Sequence, residues 1–307
     1  MLVNFLLTAI LLFQIYSPTI SVDKLNTTLE SGHFSINQKD VIFPRQKLAS
    51  QSLGLKLNAW SAIVVDQTTG KILFEKNSQE KHSLASITKL MAMVVFLETQ
   101  PDWSQVITMQ AQDQAEGAAV FVNNGEELKV EDLFYSALVG SANNAVKALV
   151  RSTGLSSDEF VNRMNIKAKQ LGLNQTHFSD PTGLNPSNQS TAYDIAVLTR
   201  YAFQQPKILQ AVLLDKYSFR TVDQNVLHTI KNTDELIDSF LNDGQNFKLI
   251  GGKTGFLNEA GYCLTTQVQD HSGHDLIIVL LGNRSSAERF REMKGLAWWT
   301  FENFEWE

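Results

Sequence analysis

Leu84-Ala85-Ser86-Ile87-Thr88-Lys89-Leu90-Met91 sets a serine and a lysine three residues apart, at the start of an apolar run that ends near Leu97. Read as a helix, that spacing puts Ser86 and Lys89 on one face, one turn apart. Ser86 then lies in the first turn, where free backbone N–H groups and the positive end of the helix dipole gather. A hydroxyl with a base beside it and an anion-stabilising environment above it is the layout of a serine acyl-transfer enzyme. Alone the pair says little, because both residues are common. Its weight depends on what surrounds it.

Upstream, Ser61-Ala62-Ile63-Val64-Val65-Asp66 reads as a buried strand, Gln67-Thr68-Thr69-Gly70 as a turn, and Lys71-Ile72-Leu73-Phe74-Glu75 as the return strand. The hairpin leads through a polar loop, Asn77 to His82, into the Ser86 helix. Residues 22–56 are polar and mixed, with little periodicity, and read as a tether or loosely packed arm. Met1 to Tyr16 carries no charged side chain and is mostly Leu, Ile, Phe and Val. It reads as the apolar core of an export signal at 1–21, cleaved after Ser21, with an uncleaved anchor as the alternative. Both place the remainder outside the cytoplasm.

Downstream, residues 86 to about 205 are mostly helical in periodicity, with helices expected at Val130 to Val139, Asn144 to Arg151 and Ser157 to Leu171. Leu171-Gly172-Leu173 fits a glycine-terminated helix end, and Thr191-Ala192-Tyr193-Asp194 opens another helix running through Tyr201. After about Lys216 the chain returns to strands: Phe247 to Thr254, Ala260 to Val268 and Asp275 to Leu281. A closing amphipathic helix runs from Ala287 to about Thr300. Two strands, a helical block, three strands and a helix make an α+β (α/β) domain over 57–307. Its antiparallel sheet is flanked by helices, and the block at about 86–205 is inserted as a second lobe. A site at the lobe boundary is the default expectation.

Composition limits the partners. The 307 residues are 43% hydrophobic and 19% charged, values of a globular chain with a substantial core. A formal net charge of -6, with no Lys/Arg block, argues against a nucleic-acid partner. The single cysteine, Cys263, excludes an internal disulfide framework and reads as a small core residue. His271 and His274 sit on a turn between strands, and no acidic or cysteine cluster completes a metal site with them. The aromatic tail of Trp298, Trp299, Phe301, Phe304 and Trp306 reads as helix packing, with a membrane-facing edge as the alternative.

Two further motifs follow Ser86-x-x-Lys89. Ser141-Ala142-Asn143 falls in a loop between apolar helices. Lys253-Thr254-Gly255 ends the strand that begins near Phe247, preceded by Gly251-Gly252. The order Ser-x-x-Lys, Ser-x-Asn, Lys-Thr-Gly is the signature of penicillin-binding proteins and class A β-lactamases. Ser61 to Asn77, Ala85 to Met93, Pro181-Thr182-Gly183-Leu184, Ser190-Thr191-Ala192 and Lys253 to Tyr262 resemble the low-molecular-mass penicillin-binding proteins. That family comprises the serine-type D-alanyl-D-alanine carboxypeptidases and the related D,D-endopeptidases. The resemblance covers roughly Ala59 to Arg291 and implies a β-lactamase/transpeptidase-like fold.

By that resemblance Ser86 is the nucleophile and Lys89 its base, with a pKa lowered by partial burial and by a second cation such as Lys253. Ser141 relays a proton to the leaving amine, and Asn143 holds Lys89 or the substrate amide. Lys253 and Thr254 bind the substrate's terminal carboxylate, Gly255 lies beside them, and the backbone N–H groups of Ser86 and Phe256 form the oxyanion hole. The implied substrates are peptidoglycan peptides, with β-lactams as covalent inhibitors, no cofactor, and no membrane contact beyond a retained N-terminal segment. The chain ends soon after the closing helix and has Phe after Lys-Thr-Gly, a plan closer to the endopeptidase branch, while carboxypeptidases dominate the family; both activities stay open. A β-lactamase would need a carboxylate for the deacylating water, and Asp180 in Asp180-Pro181-Thr182-Gly183-Leu184-Asn185 is the candidate. A non-catalytic wall-binding protein is the remaining alternative.

Overall fold

The computed structural model describes residues 42–47, 52, 54–115 and 122–306; the expected export segment and most of the expected tether lie outside the described residues. Strands β1 (Ser61–Asp66) and β2 (Ile72–Lys76) form the expected hairpin. Its turn is held by the Asp66 carboxylate, which accepts from the Thr69 N–H at 2.7 Å. Three later strands, β3 (Phe247–Leu257), β4 (Gly261–Asp270) and β5 (Asp275–Asn283), complete one sheet. Their order is β3-β4-β5-β1-β2, and every neighbouring pair is antiparallel. The last strands to be made therefore close around the first hairpin, and β3 is left at an edge.

The sheet is buried on both faces, which explains why β1 reads as a continuous apolar run. Ile63 and Val65 join the core under the helical block, whereas Ala62 and Val64 join a second core. β5 divides the same way: Ile277, Val279 and Leu281 face the helical block, and Leu276, Ile278 and Leu280 face the other side. The second core is closed by the last helix, Ser286–Asn303, through Phe290, Met293, Leu296 and Ala297.

The helical block comprises α1 (Thr88–Glu98), α2 (Val130–Val139), α3 (Asn143–Ser152), α4 (Ser157–Gln170), α5 (Ala192–Phe203) and α6 (Pro206–Val212); the closing helix is α7. α1 is apolar all round and buried from Thr88 to Phe96, as expected of a helix at the centre of a lobe. Helix ends follow local chemistry. Ser156 and Glu159 form a capping box on α4, Gly172 takes φ 72 beyond its end, and the Thr191 hydroxyl caps α5 by accepting from the Asp194 N–H.

Three features differ from the sequence reading. Val106–Thr108 pairs with Glu127–Lys129, so the block contains a small strand pair as well as helices, and where strands were expected to resume Lys216–Arg220 pairs with Leu227–Lys231, a hairpin not singled out. α6 extends it to Val212, past the expected end near 205. Arg45–Gln46, within the expected tether, pairs antiparallel with Phe304–Glu305. Of the aromatic tail, Phe301 packs on Phe247 at 5.4 Å, and the Trp306 ring stacks on His274 at 4.6 Å with its N–H donated to Asp66. Trp298 is half exposed. Among the described residues no helix is long and apolar enough to cross a membrane.

Candidate active site

Ser86 does not sit in α1 itself. It occupies a 3-10 turn, Ala85–Ile87, that feeds the helix. The turn runs directly into α1, whose first turn carries Lys89. Lys89 Nζ lies 2.8 Å from Ser86 Oγ. The ammonium end is buried and reaches two further oxygens, Asn143 Oδ1 at 2.6 Å and the Thr182 carbonyl at 2.6 Å. The Thr182 contact was not foreseen. Its signal was the Pro181-Thr182-Gly183 match, to which no role was attached.

These partners decide the protonation state that the site can use. A neutral amine has two N–H bonds and one lone pair. Asn143 Oδ1 and the Thr182 carbonyl take the two N–H bonds, and the lone pair is left for the Ser86 hydroxyl. Burial, reinforced by the charge of Lys253, holds the Lys89 pKa well below that of a free lysine, against a weaker opposing pull from Asp180. Both expected causes are present, and burial outweighs the neighbouring cation.

Asn143 is the first residue of α3 rather than a loop residue, and Ala142 is its N-cap. Ser141 lies in the short link between α2 and α3 at φ 58, and Ala85, just before the nucleophile, lies at φ 48. Each non-glycine residue in that region costs on the order of 1–3 kcal/mol, and two of them flank the same site. Ser141 Oγ accepts from Lys253 Nζ at 3.0 Å. Lys253 also donates to its neighbour's carbonyl, Thr254, at 3.1 Å, and the hydroxyls of Thr254 and Thr233 lie 2.6 Å apart. The second motif therefore joins the two lysines, with Asn143 on Lys89 and Ser141 on Lys253.

β3 delivers the third motif along its free edge. A Cβ on Gly255 would come within 2.8 Å of the Leu84 carbonyl oxygen and 3.1 Å of the Ser86 nitrogen, so only glycine lets the strand approach the nucleophile turn this closely. Phe256 follows, its side chain half exposed and stacked on Tyr262 at 4.3 Å. The eight expected residues thus lie on the 3-10 turn and the start of α1, on the inter-helix link and the start of α3, and on the edge strand. Cys263 is buried and its thiol pKa is pushed up to about 11 by burial, the behaviour of a core residue.

Asp180 is differently employed. Its Oδ1 accepts from the Thr182 and Gly183 N–H groups at 2.6 and 2.9 Å, and its Oδ2 from the Asn185 N–H and Asn188 Nδ2, both at 2.7 Å. Burial alone would raise its pKa, but these bonds outweigh it and hold the carboxyl below the usual range. A carboxylate so occupied fixes the loop that presents the Thr182 carbonyl; it is poorly placed to activate water.

Comparison with known proteins identifies the family. The profile of the family described as D-alanyl-D-alanine carboxypeptidase matches residues 45–285. The chain is 30% identical to the D-alanyl-D-alanine carboxypeptidase DacF of Bacillus subtilis, over 92% of this chain and 72% of that protein. It is 33% identical to a D-alanyl-D-alanine endopeptidase of Pseudomonas aeruginosa, over 76% and 74%. The DD-transpeptidase of Streptomyces K15 superposes with a TM-score of 0.75 at 25% identity, over 82% of this chain and 100% of that one. The chain belongs to the D-alanyl-D-alanine carboxypeptidase family, the low-molecular-mass penicillin-binding proteins.

Proposed function

We propose that this chain is a serine-type D,D-peptidase that removes the terminal D-alanine from peptidoglycan peptides through an acyl-enzyme on Ser86. The observation that carries the reading is the buried Lys89 amine, 2.8 Å from the Ser86 hydroxyl and held from behind by two oxygens. Ser86 Oγ attacks the carbonyl carbon of the penultimate D-alanine, and its proton passes to Lys89 Nζ. The developing oxyanion is met by the backbone N–H groups of Ser86 and Phe256. As the C–N bond breaks, the proton held on Lys89 is relayed through the Ser141 hydroxyl to the leaving amine, which leaves Ser141 protonated and Lys89 neutral again. Water then enters, Lys89 takes its proton, and the ester is hydrolysed with Ser86 restored.

Binding follows from the edge strand. An extended peptide can add to β3, as edge strands commonly accept a further strand. Lys253 and the Thr254 hydroxyl then receive the terminal carboxylate, a task suited to a cation beside a neutral donor. A β-lactam presents a carboxylate and a strained amide to the same groups and acylates Ser86. Such an enzyme works outside the cytoplasm, in the periplasm or cell envelope, after export on the segment at 1–21, with 22–56 leading into the catalytic domain. Cleavage of peptide cross-links by the same chemistry is the second reading, favoured by the endopeptidase of Pseudomonas aeruginosa among its relatives.

The test is intact mass and peptide mapping after incubation with a fluorescent penicillin, followed by a pentapeptide and a cross-linked dimer as substrates. A stable adduct on the Ser86 peptide, absent in Ser86→Ala, and D-alanine released from the pentapeptide are expected. No adduct with the drug intact would return the chain to the wall-binding class. Drug consumed without an adduct would favour a β-lactamase. Dimer cleavage without D-alanine release would make it an endopeptidase.

A further inference from the structure

Alongside the catalytic junction lies a cleft that the chemistry above does not use. Its volume is about 630 Å³, and among the described residues none from β3 lines it. One wall is α3, where Lys147, Val150 and Arg151 follow Asn143 at the i+4, i+7 and i+8 positions of one helix face. The facing wall is the loop from Asp180 to Asn185. Thr182 belongs to that wall, and its carbonyl holds Lys89 Nζ at 2.6 Å, as Asn143 does from the head of α3. The cleft therefore starts beside the catalytic lysine and follows α3 for two turns, ~12 Å.

Both walls are tied down by their own contacts. Asp113, 2% exposed, accepts from Arg151 Nε at 3.1 Å and from Arg151 Nη2 at 2.7 Å. Asp180 is spent on its own loop. The two carboxylates that line the cleft are thus already satisfied. The partly exposed Lys147 ammonium is not: it donates to the Gln112 and Gln114 carbonyls at 3.2 and 2.9 Å and, among the described residues, meets no carboxylate. Val150, Leu155, Pro181 and Leu184 supply apolar surface beside it. A preformed cleft with apolar walls and one unmatched cation is shaped for a ligand with an aliphatic stem and an anionic end.

We propose that this cleft receives the acyl half of the substrate and selects an aliphatic side chain that ends in a carboxylate, with Lys147 as the specificity-determining cation. The inference rests on the peptidase reading given above. Lys253 and Thr254 take the terminal carboxylate on β3, so the leaving half lies along that strand. The acyl half continues from the carbonyl that Ser86 attacks, and the cleft is the space that opens beside Lys89 on the helical lobe. There the aliphatic stem lies against Val150, Leu155 and Leu184. The carboxylate meets Lys147, whose two carbonyl contacts use two of its three N–H bonds.

The experiment measures how two peptides protect the enzyme from acylation by 6-aminopenicillanic acid, which has no side chain to reach the cleft. Both are Nα-acetyl-lysyl-D-alanyl-D-alanine. In one the lysine side chain is capped by succinyl and ends in a carboxylate; in the other it is capped by acetyl and ends neutral. Wild type is expected to bind the succinyl peptide about fivefold more tightly, as a partly exposed ion pair supplies, and the gap should close at high salt. In Lys147→Met the gap should vanish while acylation by 6-aminopenicillanic acid keeps its rate. Ser157→Trp, at an exposed cleft residue, should fill the cleft and weaken both peptides, and it carries the test if Lys147→Met does not fold. Equal protection by the two peptides in wild type, a preference that survives Lys147→Met, or unchanged peptide binding in Ser157→Trp would each overturn the proposal. Wild type that neither 6-aminopenicillanic acid nor benzylpenicillin acylates refutes the peptidase reading instead, so the two failures are distinguishable.

Discussion

Replacing Asp180 with Asn separates a structural carboxylate from a catalytic one. The substitution keeps size but turns one acceptor oxygen into an NH2 group. Both carboxylate oxygens already receive donors, so the new amide faces donors whichever way it turns. In the better orientation it displaces the Asn185 N–H, which is exposed and can turn to water, and Asn188 Nδ2, which is fully buried and cannot. One orphaned buried donor costs about 1–3 kcal/mol, and losing the charge on the remaining bonds adds about 1 kcal/mol. A total of about 2–4 kcal/mol lowers Tm by roughly 5–10 °C in a domain of this size. The loop also presents the Thr182 carbonyl to Lys89, so acylation should slow as well. The carboxyl is depressed in the folded state, so its contribution is present above the free carboxylate range and is lost as pH falls through its folded pKa. The stability gap between wild type and variant should therefore narrow below about pH 4. Thermal unfolding by circular dichroism and time-resolved intact mass are the assays. An unchanged Tm with a lengthened acyl-enzyme lifetime would refute the argument and make Asp180 the base for deacylation.

Two other substitutions probe the junction. Lys89→Arg retains the charge but cannot supply a neutral base, so penicillin acylation should fall by about 10²–10⁴; a loss under tenfold, measured by stopped-flow quenching, would show that Lys89 is not the base. In wild type the acylation rate should rise with pH as Lys89 deprotonates, with a midpoint well below 10.5. Gly255→Ala pushes a methyl toward the Leu84 carbonyl and the Ser86 nitrogen, at 2.8 and 3.1 Å, and these are backbone atoms with little room to yield. The edge strand must retreat from the nucleophile turn, and acylation should drop about 100-fold through the loss of oxyanion geometry; near-wild-type acylation would place the oxyanion donors elsewhere.

Much of the sheet was legible because its signals are local. β1 and β5 are apolar runs of strand length, bounded by turns such as Asp66 to Gly70 and Asp270 to Gly273. The three motifs were legible as short spacings, although the first runs from the 3-10 turn into α1 and the second from the inter-helix link into α3. The small hairpins were missed for different reasons. Val106–Thr108 pairs with a segment that begins at Glu127, and so short a run of three carries no period of its own. Lys216–Arg220 and Leu227–Lys231 do alternate, with Phe219 and Ile230 buried and their neighbours outward, a signal that a strand-by-strand count would have found. Asp234, the buried cap of the turn Glu235–Asp238, had no signal at all. Asn232-Thr233-Asp234-Glu235 reads as solvated loop, and the burial of its carboxylate arises only when β3 packs over it.

The two lysines show why motif spacing alone could not assign their charges. Both are buried, at 0% and 1% exposure, and both have lowered pKa values for which burial is the largest cause. Their partners separate them. Lys89 meets two oxygens and a hydroxyl, a set that matches the two N–H bonds and lone pair of a neutral amine. Lys253 meets two neutral acceptors, the Ser141 hydroxyl and the Thr254 carbonyl, with the Arg289 guanidinium opposing its charge. The charge of Lys253 adds to burial in lowering the Lys89 pKa, whereas Lys253 itself is lowered by burial and by Arg289. Two buried lysines of one site thus meet different partners: Lys89 an amide oxygen, a carbonyl and a hydroxyl, Lys253 a hydroxyl and a carbonyl beside a guanidinium.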